Sequence, residues 1–306
     1  MHGHPERATL VRTDTPECAR SYDQAMDNYI LTLRCRDQPG IVRALAEGIV
    51  RAKGNILESA QFSDPPTGLF CLRTSFESPD QDLEAVRARI AGEVARFEPV
   101  LTLRRESSRR RMLVMVSRHD HCLRDLLQRW DMGEIPADLR LVVSNHEDCR
   151  YLADRYGVPY AHIPVTAATK PEAEARLLDL IAEYQVEAVV LARYMQVLSD
   201  DLCRRLEGRV INIHHSFLPG FKGARPYHQA YERGVKLIGA TAHFVTPDLD
   251  EGPIIEQDVA RVGHFHTPEQ LVAIGRDVER LVLARAVRLY AEDRVVLAGA
   301  RTVVFG

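Results

Sequence analysis

The stretch Val210-Ile211-Asn212-Ile213-His214-His215-Ser216-Phe217-Leu218-Pro219 is an apolar run that ends in an amide, two imidazoles and a hydroxyl just before a proline turn. A side-chain amide can donate to an oxygen that becomes an oxyanion, and one such donor is worth about 3 kcal/mol of barrier. An imidazole donates or shuttles a proton. Side chains alternate along a strand, so Asn212 and His214 face the same side and can address one carbonyl. A second polar group arrives downstream. Ala240-Thr241-Ala242-His243-Phe244-Val245 reads as another strand, and the turn Thr246-Pro247-Asp248-Leu249-Asp250-Glu251-Gly252 supplies Asp248 and Asp250. A carboxylate from that turn, assigned to Asp250, would orient the imidazole or a water and carry a proton to a leaving nitrogen. Amide, imidazole and carboxylate together suit acyl transfer.

Other chemistry fits these residues less well. An arbitrary pair of strand-end histidines is usually satisfied by backbone carbonyls. His214 and His215 with His228 and His243 offer zinc ligand types, but there is no HExxH and no compact spacing, so no metal is expected. Asp248 reads as a turn former. Ser216 lacks a GxSxG elbow and precedes a rigid Leu-Pro, which points to backbone bonding rather than nucleophilic attack.

Such groups need a scaffold that brings distant segments to one rim. At 306 residues the chain exceeds the usual single-domain size, which predicts two domains. A hydrophobic content of 45% and a net charge of −3 fit a globular chain and give no electrostatic reason to expect nucleic acid. The six cysteines are dispersed without a CxxC pair and no apolar signal segment opens the chain, so reduced thiols and a cytoplasmic location are expected. The apolar run at 186–192, broken by Glu187, is too short to cross a membrane.

Residues 1–27 lack a sustained apolar period and read as a flexible tail. Over 28–105 the pattern is βαββαβ: a strand at 29–35, a helix at 41–52 with Ile41, Leu45 and Ile49 at helical spacing, strands at 56–63 and 69–76, a helix at 81–97 and a strand at 100–104. The basic run at 104–111 breaks the apolar pattern, and 106–111 is read as a solvated linker. From 112 to 306 strands at 112–116, 139–143, 161–165, 186–192 and 210–214 alternate with helices, which predicts an α/β domain with a mostly parallel, Rossmann-like sheet. Ligands bind outside the carboxyl ends of such strands, where Arg193-Tyr194-Met195 and the Asn212 motif fall. A long helix at 269–293 and strand-like pieces at 294–298 and 301–305 close the chain.

The residues Asn212, His214, Ser216 and Pro219, with Asp250 and Gly252 in the later turn, resemble the folate-dependent formyltransferase superfamily. His243 matches its purine-pathway branch. Segments such as Leu191-Ala192-Arg193-Tyr194-Met195-Gln196-Val197-Leu198, Gly223-Ala224-Arg225-Pro226-Tyr227-His228 and Leu249-Asp250-Glu251-Gly252-Pro253 make the chain similar, within that superfamily, to the formyltetrahydrofolate deformylases. The resemblance implies hydrolysis of 10-formyltetrahydrofolate to formate and tetrahydrofolate, with folate as substrate, no metal and no cofactor. It implies balancing of one-carbon folate pools, with formate available for purine synthesis. It places the pterin near Met195, Gln196, Val197, Leu198, Val245 and Leu249, and it adds His121 and Cys122 as further active-site candidates. The alternative is a formyltransferase to a small amine. A phosphate-bearing acceptor would want a glycine-rich turn at a helix N-terminus, but Ser117-Arg118-His119-Asp120-His121-Cys122-Leu123 has no glycine and carries an acid. Water is then the expected acceptor.

The first domain resembles the ferredoxin-like ACT fold. The resemblance implies an effector site at Asp37, Gly40 and Asn55 for an amino acid such as glycine or methionine, or equally a pairing module with an empty site, and a homodimer or homotetramer.

Overall fold

The computed structural model describes residues 26–218 and 226–306. Nearly all of the expected tail, the motif's Pro219 and the Gly223-Ala224-Arg225 segment therefore lie outside the described residues.

The N-terminal domain runs β1 (Asp27–Arg36), α1 (Ile41–Arg51), β2 (Asn55–Asp64), β3 (Leu69–Ser78), α2 (Leu83–Val94) and β4 (Val100–Arg105). The strands pair antiparallel in the order β2-β3-β1-β4. Alternate residues Tyr29, Leu31 and Leu33 of β1 are fully buried against Ile41, Leu45 and Ile49 of α1, so the period-2 and helical patterns meet in one core. This is the expected ferredoxin-like order. The first strand starts at Asp27, two residues before its expected start at 29 and one before the expected domain boundary at 28.

The second domain contains β5 (Arg110–Val116), α3 (His121–Asp131), β6 (Ala137–Ser144), α4 (Arg150–Arg155), β7 (Tyr160–His162), α5 (Lys170–Glu183), β8 (Ala188–Leu191), α6 (Asp200–Arg205), β9 (Val210–His214), α7 (Pro226–Glu232), β10 (Leu237–Phe244), β11 (Ile254–Arg261), α8 (Pro268–Ala291), β12 (Val295–Ala298) and β13 (Arg301–Val304). Seven strands form one sheet in the order β11-β10-β9-β8-β5-β6-β7. The five from β9 to β7 are parallel, while β10 and β11 run antiparallel to their neighbours. Met112, Val114 and Val116 of β5 pack on one face with α3 and α8, and Leu113 and Met115 pack on the other with α5 and α6. Burial on both faces is why these strands read as continuous apolar runs.

Two expectations change. The linker ends sooner than 111, because Arg110 and Arg111 already pair with Ala137 and Asp138 in the sheet. Strand β11 was not expected: only Ile255 is buried along it, and an edge strand with polar sides carries little apolar signal.

Arginines join the domains. Arg104 and Arg110 both pair with the buried Asp293 just after α8, Arg34 donates to the Leu297 carbonyl at 2.8 Å, and Arg301 meets Asp64 at 2.6 Å. The β12–β13 hairpin adds an apolar contact, with Val296 and Phe305 packed around Cys71 of the first sheet. Among the described residues no helix is long and apolar enough to cross a membrane.

Candidate active site

The site begins with strand register. In the antiparallel pairing of β9 with β10, His243 stands directly across from Asn212 and Thr241 across from His214. Cross-strand neighbours touch. The Asn212 Nδ2 lies 3.2 Å from His243 Nε2, and His243 Nδ1 lies 2.9 Å from the Phe244 carbonyl. A carbonyl only accepts, so Nδ1 carries the proton and the neutral ring offers the Nε2 lone pair to the Asn212 amide. The amide is thereby aimed, with its second N–H unspent.

Beyond β10 the turn folds back and delivers Asp250. Its Oδ1 lies 3.2 Å from His214 Nδ1 and 3.7 Å from His243 Nε2. Asp250 adopts a left-handed backbone with φ of 59°, a conformation that Asp tolerates better than most residues. Gly252 makes the return path: a Cβ there would stand 1.7 Å from the Phe244 carbonyl oxygen. Burial pushes the Asp250 carboxyl up, but the hydrogen bond from His214, with the His243 ring close by, outweighs it and holds the group well below the usual carboxylate range. His214 is 6% exposed, and with Nδ1 committed to Asp250 its buried Nε2 has no hydrogen-bond partner among the described residues. Its neighbour His215 stacks at 5.2 Å between ring centroids and titrates at about 4, lowered by burial and then by the Arg193 charge.

Asn212, His214, His243 and Asp250 all open onto one cavity of about 240 Å³. Met195, Gln196, Val197, Leu198, Val245 and Leu249 also line it, so every residue expected to hold the pterin faces the same cavity. Met195, Val197 and Leu249 are each more than half exposed, an apolar rim suited to a flat ring. The site therefore has a polar end with acyl-transfer groups and an apolar mouth.

The remaining candidates sit apart. Ser216 is buried, and its carbonyl accepts from Thr241 Oγ1 at 3.0 Å, which fixes the chain leaving β9. His121 and Cys122 begin α3 and do not line the cavity. His121 Nε2 lies 2.7 Å from Glu279 Oε2, and Cys122 is fully buried. His121, Cys122 and Glu279 bring one ligand atom each within 4.8 Å of the others. Burial, then the Glu279 charge, push the Cys122 thiol well up. The positive charge beside Glu279 already comes from Arg193, 3.5 Å away.

Glu279 is the residue that the motif reading missed, while Arg193 was placed at the ligand-binding rim but given no role. Glu279, 1% exposed on α8, also accepts from Tyr227 Oη at 2.6 Å. Burial raises its pKa, but the hydrogen bond from His121, the Arg193 charge and the hydrogen bond from Tyr227 bring it below the ordinary value. Tyr227 packs so closely over α8 that a Cβ on Gly275 would fall 2.1 Å from its ring. In the first domain Asp37 and Gly40 lie exposed between β1 and α1, while the Asn55 amide donates to Glu77 at 3.0 Å.

A seven-stranded, mostly parallel sheet with an Asn/His/Asp site at its rim is the formyltransferase fold, and residues 110–287 match the formyl transferase domain family. A formyltetrahydrofolate deformylase of Corynebacterium sp. (strain P-1) is 50% identical over 278 residues, covering 90% of this chain and 97% of that relative. The crystal structure of formyltetrahydrofolate deformylase from Burkholderia mallei matches with a TM-score of 0.88 at 50% identity, over 92% of this chain and 100% of that one. Glycinamide ribonucleotide transformylase 1 from Symbiobacterium toebii matches with a TM-score of 0.61 at 33% identity, over 67% of this chain and 98% of that one. The chain belongs to the formyltetrahydrofolate deformylase family.

Proposed function

We propose that this chain hydrolyses 10-formyltetrahydrofolate to formate and tetrahydrofolate, with the pterin in the apolar mouth and the formyl group at the Asn212–His214–Asp250 end. Water attacks the formyl carbon, and the oxygen that gains charge is met by the free N–H of Asn212 and by an Nε2–H of His214, whose ring carries both protons in this step while Nδ1 donates to Asp250. Asp250 holds the water and the imidazole. Its low basicity means that the proton does not rest there but passes on to N10, after which the carbon–N10 bond breaks and formate leaves. The reading needs no metal. One observation carries it: four polar groups, Asn212 and His214 from β9, His243 from β10 and Asp250 from the following turn, converge on one cavity whose rim is apolar.

The experiment is formate release from 10-formyltetrahydrofolate with no acceptor present. Steady turnover that an added amine does not accelerate is expected, and acceptor-dependent release would support the transferase alternative, which the relatives do not favour.

The N-terminal domain is read as a pairing or effector module of a cytoplasmic homodimer or homotetramer, responding to an amino acid such as glycine or methionine. The edge strand β2 exposes Ile56, Leu57 and Phe62 where a second copy would continue the sheet. Sedimentation and calorimetric titration of the full chain with each amino acid test it, a monomer without heat of binding counting against both roles.

A further inference from the structure

The transformylase neighbours hand the formyl group to an amine on the same scaffold, so something at the acceptor end must make the difference if water is to be the acceptor here. The residue that stands out there is Arg193. It follows β8 at the rim of the sheet and lines the same cavity as Asn212, His214 and His215, close enough for its charge to act on the His215 ring. It adopts a φ of 65°, a left-handed conformation that glycine adopts without steric cost and a long side chain does not. Its backbone is clamped, with the carbonyl accepting from Ser117 N–H at 3.2 Å while Ser117 Oγ accepts from Met195 N–H at 2.9 Å. Its side chain is only 11% exposed and is drawn back against Glu279, which His121 and Tyr227 hold from two other elements. Among the described residues a left-handed backbone is thus kept where it delivers a largely buried cationic side chain to the wall of the site.

We propose that Arg193, anchored by Glu279, is a specificity-determining plug. It occupies the acceptor end of the cavity and its positive charge disfavours an approaching ammonium, so that water alone reaches the formyl carbon. This inference rests on the deformylase reading. Its chemistry predicts a gain: with the plug removed, an amine nitrogen can form the new carbon–nitrogen bond, losing its proton as the carbon–N10 bond breaks and N10 is protonated. The products would be an N-formyl amine and tetrahydrofolate in place of formate.

The test uses the full-length chain, 10-formyltetrahydrofolate and hydroxylamine or glycinamide, with formate and N-formyl product quantified together. Wild type should yield formate whatever the amine concentration. Arg193→Gly relieves the left-handed backbone, so it is the replacement least harmful to folding, and its ratio of N-formyl product to formate should rise at least tenfold and scale with amine. Arg193→Met fills the space without charge and should stay closer to wild type, which separates volume from electrostatics. A folded Arg193→Gly that hydrolyses with an unchanged product ratio overturns the proposal. So does loss of both products in that variant with folate binding intact, which would place Arg193 in the reaction itself. Should Arg193→Gly misfold by circular dichroism, Glu279→Gln decides, because releasing the anchor should raise the same ratio and an unchanged ratio refutes the plug. Absence of formate from wild type would instead strike the deformylase reading.

Discussion

Replacing Asp250 by Asn is the sharpest probe of the site, because it alters charge with little change of shape. Asn is among the few side chains at ease in a left-handed backbone, so the φ of 59° at this position is kept. Its amide oxygen can still accept from His214 Nδ1 across the 3.2 Å that separates the two groups. What disappears is the negative charge that binds the His214 imidazole and the carboxylate that holds the water. General acid–base assistance is worth about 10²–10⁴ in rate. At 1.36 kcal/mol per tenfold, that is roughly 2.7–5.4 kcal/mol of barrier. The expected outcome is a kcat lowered by about two to four orders of magnitude with KM within a few-fold, measured as single-turnover formate release. Stability gives an independent check. The folded carboxyl is held below its unfolded pKa near 3.9, so its charge stabilises the fold above that pH, and the gain is lost as pH falls through the lower folded value. Asp250→Asn should therefore melt below wild type at pH 7, and the gap should narrow under acid conditions. A variant with kcat within tenfold of wild type and an unchanged melting profile would refute the assignment.

Three further outcomes follow from the same geometry. Gly252→Ala places a methyl 1.7 Å from the Phe244 carbonyl oxygen, so the turn carrying Asp250 must move; a loss of about 1–3 kcal/mol of stability is expected with a fall in kcat, and unchanged activity would show that the turn adapts freely. His215 titrates at about 4 in the fold against about 6.5 unfolded, so the unfolded chain binds the extra proton and stability should decline as pH drops from about 6.5 to about 4, by up to about 3 kcal/mol from this one group. His215→Phe should flatten that part of a urea-denaturation profile, whereas an unaltered slope would assign the decline to other groups. Cys35, Cys71, Cys122, Cys149 and Cys203 are all buried, and burial, followed by the charges of Asp120 and Asp148, lifts Cys149 to about 11. None of these five should react with a thiol-specific dye at pH 8 until guanidinium unfolds the chain, and prompt labelling at Cys122 would contradict the packing around α3.

The parts of the site that were legible in the sequence are those set by strand periodicity. Asn212 and His214 share a face because they lie two apart, and Asp250 was visible because a turn with acids followed an apolar strand. The partnership of His243 with Asn212 was not visible, since it depends on β10 pairing antiparallel to β9 in one register, and a slip by one residue would turn His243 away. Glu279 was hidden for another reason. In the 24 residues of α8, Glu279 is one of three acids among apolar and basic positions and reads as part of a solvated face, and only packing reveals that it is buried beneath His121, Arg193 and Tyr227. Arg193 itself fell within a recognisable segment, yet sequence does not report φ, and its left-handed backbone is what marks the side chain as one the fold holds in place at a cost. Groups that meet a reacting carbonyl are announced by type and spacing. Groups that decide which nucleophile arrives sit on other elements and become visible only through contact, so selectivity is the harder property to read from the chain alone.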